Sequence, residues 1–79
     1  MIALRLHRHI YRGASVDEAV KIFTSYGTFE RKEEPESWLV EVTTDDPQRE
    51  RRIAGELANY ALGLTVKAGG VDPKATAST

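Results

Sequence analysis

The sequence contains no cysteine in its 79 residues. Without thiols the chain can form no disulfide bond, no thiolate nucleophile and no cysteine-ligated zinc or iron–sulfur site. It also lacks a large excess of either charge, because 11 basic and 12 acidic side chains leave a formal net charge of −1. Such a chain exerts no long-range attraction on a nucleic acid or an anionic membrane. We therefore expect neither as a partner.

Long apolar runs are absent as well. The first ten residues alternate apolar and basic side chains and do not form the continuous apolar run of a signal peptide. No segment approaches the roughly 20 apolar residues that span a membrane as a helix. Together with the absence of cysteine, which suits a reducing compartment, these features lead us to expect a cytoplasmic protein.

The remaining composition, 41% hydrophobic and 29% charged, is typical of a globular domain. A chain of this length has room for one small core, so dimerisation would add useful stability. We predict a single domain over residues 1–66. Residues 67–79, which include Gly69-Gly70, have little to bury and are predicted to form a flexible tail.

The first half of the chain predicts a strand and a helix. Apolar residues at every second position predict a strand from Ile2 to Ile10. Ser15-Val16-Asp17-Glu18 has the pattern of a capping box and predicts the start of the helix, which Gly27 is expected to end in a left-handed conformation. The buried stripe of this helix is predicted to consist of Val16, Ala19, Val20, Phe23 and Tyr26.

A hairpin and a second helix are predicted to follow. The hairpin joins Thr28–Lys32 to Trp38–Thr44 through a solvated turn at Pro35. Asp46-Pro47 is a strong helix start, and the helix is expected to run to about Leu62. Residues 64–66 are interpreted as either a short fourth strand or the frayed end of this helix. The residues predicted to be buried are Trp38, Val40 and Val42 on the strand and Ile53, Leu57, Tyr60, Ala61 and Leu64 on the helix.

The element order β-α-β-β-α predicts an α+β fold, a two-layer sandwich. A right-handed crossover leaves a gap between the first two strands, and the third can fill it antiparallel to both, giving the order 1-3-2 with both helices on one face. This split β-α-β arrangement is half or most of a ferredoxin-like fold. The other sheet face is left for solvent or a partner, and we predict there a partner surface made of Arg5, His7, His9, Leu39, Glu41 and Thr43.

The chain offers little catalytic chemistry. His7 and His9 project from one face of the predicted strand, but a metal ion needs further ligands, and Glu41 is the only candidate. If a partner covered this face, the two histidines could form a pH-sensitive contact. Ser15 is assigned as the helix cap and the other serines lie far from either histidine in sequence, so no catalytic triad is indicated. The glycine pair precedes no helix and is not a phosphate loop. We predict no enzyme activity, no cofactor and no metal site.

A pattern of residues spans about two thirds of the chain, from Tyr11 to Leu62. It consists of Tyr11, Ala19, Val20, Phe23, the strand Trp38–Val42 and the helical segment Glu56-Leu57-Ala58-Asn59-Tyr60-Ala61-Leu62. In this pattern the chain resembles the HxsD family, small proteins encoded beside radical-SAM enzymes of the His-Xaa-Ser peptide-modification system. The resemblance implies an accessory role without catalytic residues.

Two functions therefore remain open. The first is a non-enzymatic accessory or protein-interaction module, with a protein partner or a second copy of the chain bound to it, and with a radical-SAM peptide-modification system as its setting. The alternative is a regulatory domain that binds a small molecule of the amino-acid type, because such sites on ferredoxin-like folds are built largely from backbone groups at a dimer interface.

Overall fold

The computed structural model describes residues 1–70, which form a three-stranded sheet with two helices packed on one face. The strands are β1 (Ile2–His7), β2 (Thr28–Glu33) and β3 (Ser37–Thr43), and the helices are α1 (Gly13–Phe23), followed by a 3-10 turn (Thr24–Tyr26), and α2 (Pro47–Lys67). β3 lies between β1 and β2 and is antiparallel to both. The predicted α+β fold and the strand order 1-3-2 are confirmed.

The core lies between the helices and one face of the sheet. In the β1–β3 ladder Ile2, Leu4 and Leu6 stand opposite Val42, Val40 and Trp38, so their side chains share the face that the helices cover. The largest fully buried side chains come from both layers: Val16 of α1, Val40 and Val42 of β3, and Leu57 of α2.

Helix α1 begins two residues before the predicted capping box, so that prediction was wrong. Arg12 is the N-cap, no side chain caps the helix, and Ser15 is buried within the first turn. Its first residue must be glycine, because a Cβ at Gly13 would lie 2.7 Å from Cζ2 of Trp38. The glycine lets the first turn pack directly against the indole.

The end of α1 also differs from the prediction. After Phe23 the chain tightens into the 3-10 turn, whose shorter period rotates Tyr26 out of the buried stripe. Gly27 has an extended backbone, with a φ of 174°, and does not provide a left-handed cap. Glycine fits this position for another reason, because a Cβ would lie 2.9 Å from the carbonyl oxygen of Thr43.

Helix α2 starts as predicted and ends later. The Asp46 side chain accepts a hydrogen bond from the backbone N–H of Gln48 at 3.0 Å, and Pro47 is the first helical residue. The helix continues to Lys67, so residues 64–66 form neither a fourth strand nor a frayed end. The hydroxyl of Thr65 donates to the carbonyl of Ala61 at 2.9 Å, which suits a β-branched residue to this last turn.

A glycine pair closes α2. Gly69 and Gly70 have φ values of 93° and 88°, and their N–H groups donate to the carbonyls of Val66 and Thr65. This hydrogen-bond pattern is a Schellman motif. The predicted tail therefore starts too early, since Lys67 to Gly70 belong to the helix and its cap, and residues 71–79 lie outside the described part.

Replacing Gly69 by alanine should lower the free energy of unfolding by about 1 kcal/mol, because an L side chain is strained at this positive φ. Gly63→Ala is the matched control, since Gly63 is a helical glycine with open space where a Cβ would lie. That change should stabilise by about 0.5–1 kcal/mol. In thermal unfolding the midpoint temperature should fall for Gly69→Ala and rise for Gly63→Ala, by about 4–8 °C for each kcal/mol. Shifts of equal sign and size would contradict the glycine cap.

Truncating Leu57 to alanine should lower the free energy of unfolding by about 2–5 kcal/mol, since this side chain is fully buried and its removal leaves a cavity. The measurement is urea unfolding followed by the fluorescence of Trp38, the only tryptophan. A loss below about 1 kcal/mol would show that α2 is not packed on the sheet as described.

Candidate functional site

The predicted partner surface lies mainly on the open face of the sheet. The strand registers place Arg5 beside Leu39, Ala3 beside Glu41 and Thr28 beside Thr43, all on the face opposite the helices. The structure thus places five of the six predicted residues on this face: Arg5, His7, Leu39, Glu41 and Thr43.

The charges of this face are paired within the chain. Arg5 Nε lies 3.1 Å from Glu34 Oε1, and Lys32 Nζ lies 3.1 Å from Glu41 Oε1. The hydrogen bond to Glu41, together with the charges of Glu41 and Glu30, raises the pKa of the Lys32 ammonium above its ordinary value. The open face therefore has little unpaired charge with which to attract a charged partner.

The two histidines lie at the edge of this surface. β1 ends at His7, shorter than the predicted strand, because the chain turns there and the N–H groups of Ile10 and Tyr11 both donate to the carbonyl of His7. Ile10, the last residue of the predicted strand, is exposed on this turn. The rings of His7 and His9 lie 5.0 Å apart. Nowhere in residues 1–70 do three His, Asp or Glu side chains converge to hold a metal ion.

Trp38 is half-buried, and two arginines lie over its ring. The guanidinium carbons of Arg8 and Arg31 lie 3.9 Å and 4.8 Å from the ring centroid, and the indole N–H donates to the carbonyl of Tyr11 at 3.0 Å. Arg31 also pairs with Asp17 of α1. The indole thus joins the sheet to the start of α1, and its ring is already engaged by two cations of the same chain.

A different surface, which we call the aromatic groove, runs between α1 with its 3-10 turn and the N-terminal half of α2. It encloses a volume of about 490 Å³. Its lining consists of Ile22, Phe23, Tyr26, Arg49, Arg52, Ile53, Glu56 and Tyr60.

The groove exposes three large apolar or aromatic side chains. Tyr26, Ile22 and Tyr60 are 53%, 42% and 41% exposed. Phe23 forms the floor, with its ring centroid 5.8 Å from those of both Tyr26 and Tyr60. The predicted burial is thus correct for Phe23, which packs against the core, but wrong for Tyr26 and Tyr60.

Two arginines of α2 line the other side of the groove. Arg49 Nη1 lies 3.7 Å from Asp45 Oδ1, and Arg52 Nε lies 3.7 Å from Glu56 Oε1. Pairs this long between exposed side chains contribute little stability, so the guanidinium groups can exchange these carboxylates for others. The groove therefore combines an aromatic floor with two available cationic donors.

Sequence reasoning missed this groove. Tyr60 lies next to the buried stripe of α2 and was therefore assigned to the core. Tyr26 was assigned to the buried stripe of α1, and only the 3-10 turn rotates it outward. One available signal was the spacing of Arg52, Glu56 and Tyr60 at every fourth position, which places all three on one side of α2.

Glu50 is a buried carboxylate at the start of α2. Its Oε1 lies 2.8 Å from the amino nitrogen of Met1, and its Oε2 accepts the N–H of Thr44 at 2.8 Å. The hydrogen bond from the Met1 amino group, followed by that from Thr44, holds the pKa of Glu50 below its ordinary value, although burial acts in the opposite direction. Glu50 thereby connects α2 to both strands at one end of the β1–β3 ladder, where β1 starts and β3 ends.

This pKa shift predicts a pH dependence of stability. Because the folded pKa lies below the unfolded one, ionised Glu50 stabilises the fold above the unfolded pKa, and this contribution is lost as pH falls through the folded pKa. The free energy of unfolding of wild type, measured with urea, should therefore exceed that of Glu50→Gln at about pH 6. The difference should shrink as the pH is lowered to about 3.

Glu36→Gln serves as the control, because it makes the same charge change in the exposed hairpin turn. A stability difference between wild type and Glu50→Gln that stays constant over this pH range would contradict the role given to the Glu50 carboxylate.

Comparison with known protein families, curated proteins and solved structures finds no match for this chain. The resemblance to the HxsD family thus rests on the quoted residues alone and stays a prediction. In residues 1–70 neither helix is long and apolar enough to cross a membrane.

Proposed function

We propose that this chain is a non-enzymatic protein-interaction module whose aromatic groove binds a peptide segment with a large apolar side chain next to carboxylates. The observation that carries the proposal is the meeting of exposed Tyr26 and Tyr60 with the loosely paired Arg49 and Arg52 in one concave surface. Tyrosine and arginine are among the residues that contribute most to binding in protein interfaces.

The chemistry of the partner follows from the two sides of the groove. A leucine or aromatic side chain can pack on Phe23 between the two tyrosine rings, which removes apolar surface from water. Neighbouring carboxylates can replace Glu56 and Asp45 as acceptors, and arginine binds a carboxylate best with two parallel hydrogen bonds. The partner segment therefore requires both apolar and acidic residues.

A small molecule of the amino-acid type is the second candidate. The groove volume of about 490 Å³ falls within the range typical of small-molecule sites. In this alternative Arg52 would bind the carboxylate and Phe23 would contact the side chain of the ligand.

The setting of the interaction is proposed from the sequence alone. The HxsD resemblance suggests a partner within a radical-SAM peptide-modification system, and the composition suggests a cytoplasmic location. Co-purification with a radical-SAM enzyme encoded beside the gene would support this setting, and its absence would count against the resemblance but not against the groove.

The test is a binding titration with a labelled peptide that contains a phenylalanine flanked by two aspartates. Tyr60→Ala and Arg52→Ala should each weaken binding about tenfold or more, as expected for residues central to an interface. Arg51→Ala is the matched control, because it removes the same charge from the same helix without changing a groove residue. Equal affinity of wild type and both groove variants would refute the proposal.

Two further arms separate the alternatives. Free phenylalanine or leucine that binds as tightly as the peptide, with the same dependence on Arg52, would favour the small-molecule site. A double variant His7→Glu/His9→Glu should keep the fold and the peptide affinity. Loss of peptide binding in this variant, with binding retained in Tyr60→Ala, would place the partner on the open sheet face instead.

A further inference from the structure

The two outer edges of the sheet differ in how they are protected. β2 forms one edge, and the four consecutive charged residues Glu30 to Glu33 discourage another strand from pairing with it. β1 forms the other edge and has the sequence Ile-Ala-Leu-Arg-Leu-His. No strand within residues 1–70 pairs with its outer side, which leaves a row of backbone N–H and C=O groups open.

β1 carries only one arginine and no lysine or acidic residue, so its edge is less charged than that of β2. Arg5 pairs with Glu34, which follows β2, at 3.1 Å and is still 66% exposed. Ile2 and Leu4 remain only half-buried, although they lie on the face that the helices cover. The core is therefore incompletely closed along β1, in contrast to its closed centre at β3.

Helix α2 extends the same surface. The helix lies along β1, because Glu50 contacts Met1 at the start of the strand and Thr65 accepts the N–H of Arg12 beyond its end. Tyr60 contacts α1, and Leu62 lies about 200° further around the helix, on the flank away from α1. Leu62 and Val66 on this flank are 37% and 69% exposed.

We propose that the edge of β1 and this flank of α2 form a homodimer interface, in which β1 pairs antiparallel with β1 of a second copy about a two-fold axis. This proposal goes beyond the aromatic groove, which lies on the other side of α2 and stays open in the dimer. The result is a continuous six-stranded sheet with all four helices on one face.

The sequence of β1 is complementary to itself in the register centred on Leu4. Both copies keep their helices on the same face, so residues directly opposite each other must share a face. With Leu4 opposite Leu4 of the second copy, Ile2 meets Leu6 and the small Ala3 meets Arg5. The register shifted by one pair along the strand places Arg5 opposite Arg5, and like charges in that position repel. The centred register therefore avoids every direct charge clash.

The same two-fold axis would set the two α2 helices antiparallel. Because Glu50 lies at Met1 and Thr65 at Arg12, the middle of α2 is near the level of Leu4, and the helix contact would be centred near Ala58. Leu62 then faces the region of Gly55 of the second copy. Gly55 has open space in the isolated chain where a Cβ would lie, so it can accommodate a large apolar side chain.

The test is sedimentation velocity of the full chain over a concentration series. Wild type should show a monomer–dimer equilibrium. Ala3→Lys should raise the dimer dissociation constant about tenfold, because the two-fold axis places the new lysine opposite Arg5 at two positions in the interface and the like charges repel at both. Ala3→Glu is the matched control at the same position, and it should retain or tighten the dimer because it faces the same arginine with the opposite charge.

A second pair of variants tests the helix contact. Leu62→Glu should dissociate the dimer, whereas Ile22→Glu in the aromatic groove should leave it unchanged. Circular dichroism confirms that each variant is folded. A chain that stays monomeric up to its solubility limit would overturn the proposal, as would dissociation constants unchanged by both Ala3→Lys and Leu62→Glu. If Ala3→Lys and Ala3→Glu weakened the dimer equally, the register with Leu4 opposite Leu4 would be wrong.

Discussion

The attachment of α2 to the sheet is the constraint on which the rest of this small fold depends. The helix provides four of the nine buried apolar residues of the core: Ile53, Ala54, Leu57 and Ala61. Two buried polar side chains, Glu50 and Thr65, hold its ends, since each accepts a hydrogen bond from a backbone N–H outside the strands. An unpaired buried polar group is unfavourable, so these bonds favour one position of the helix along β1.

Both surfaces that we connect with function follow from this position. On one flank α2 meets α1 and the 3-10 turn, where the tyrosines are too large to be fully covered, and the aromatic groove results. On the other flank the helix reaches only as far as β1, so the edge of that strand and the side chains of Leu62 and Val66 have no cover within residues 1–70. The open sheet face is different in character, because its charged residues pair with one another.

Much of the fold could be predicted from sequence, because the apolar periods of β1, β3 and α2 are regular and Asp46-Pro47 is a clear helix start. The errors occur where tertiary contacts decide the local structure. α1 begins at Gly13, which packs against Trp38 far away in sequence, and the close approach of Gly27 to Thr43 has no signature in local sequence either. The groove was missed because residue spacing alone does not tell how far two packed helices cover a tyrosine.

The most direct test of the central role of α2 is amide hydrogen exchange at Thr44 and Arg12. Both N–H groups lie outside helices and strands, yet they donate to Glu50 and Thr65 of α2 at 2.8 Å and 3.0 Å. If these bonds fix the helix, both amides should exchange as slowly as the central amides of α2, since one opening event releases all of them. Rapid exchange at Thr44 and Arg12, with the amides of β3 still protected, would contradict this account.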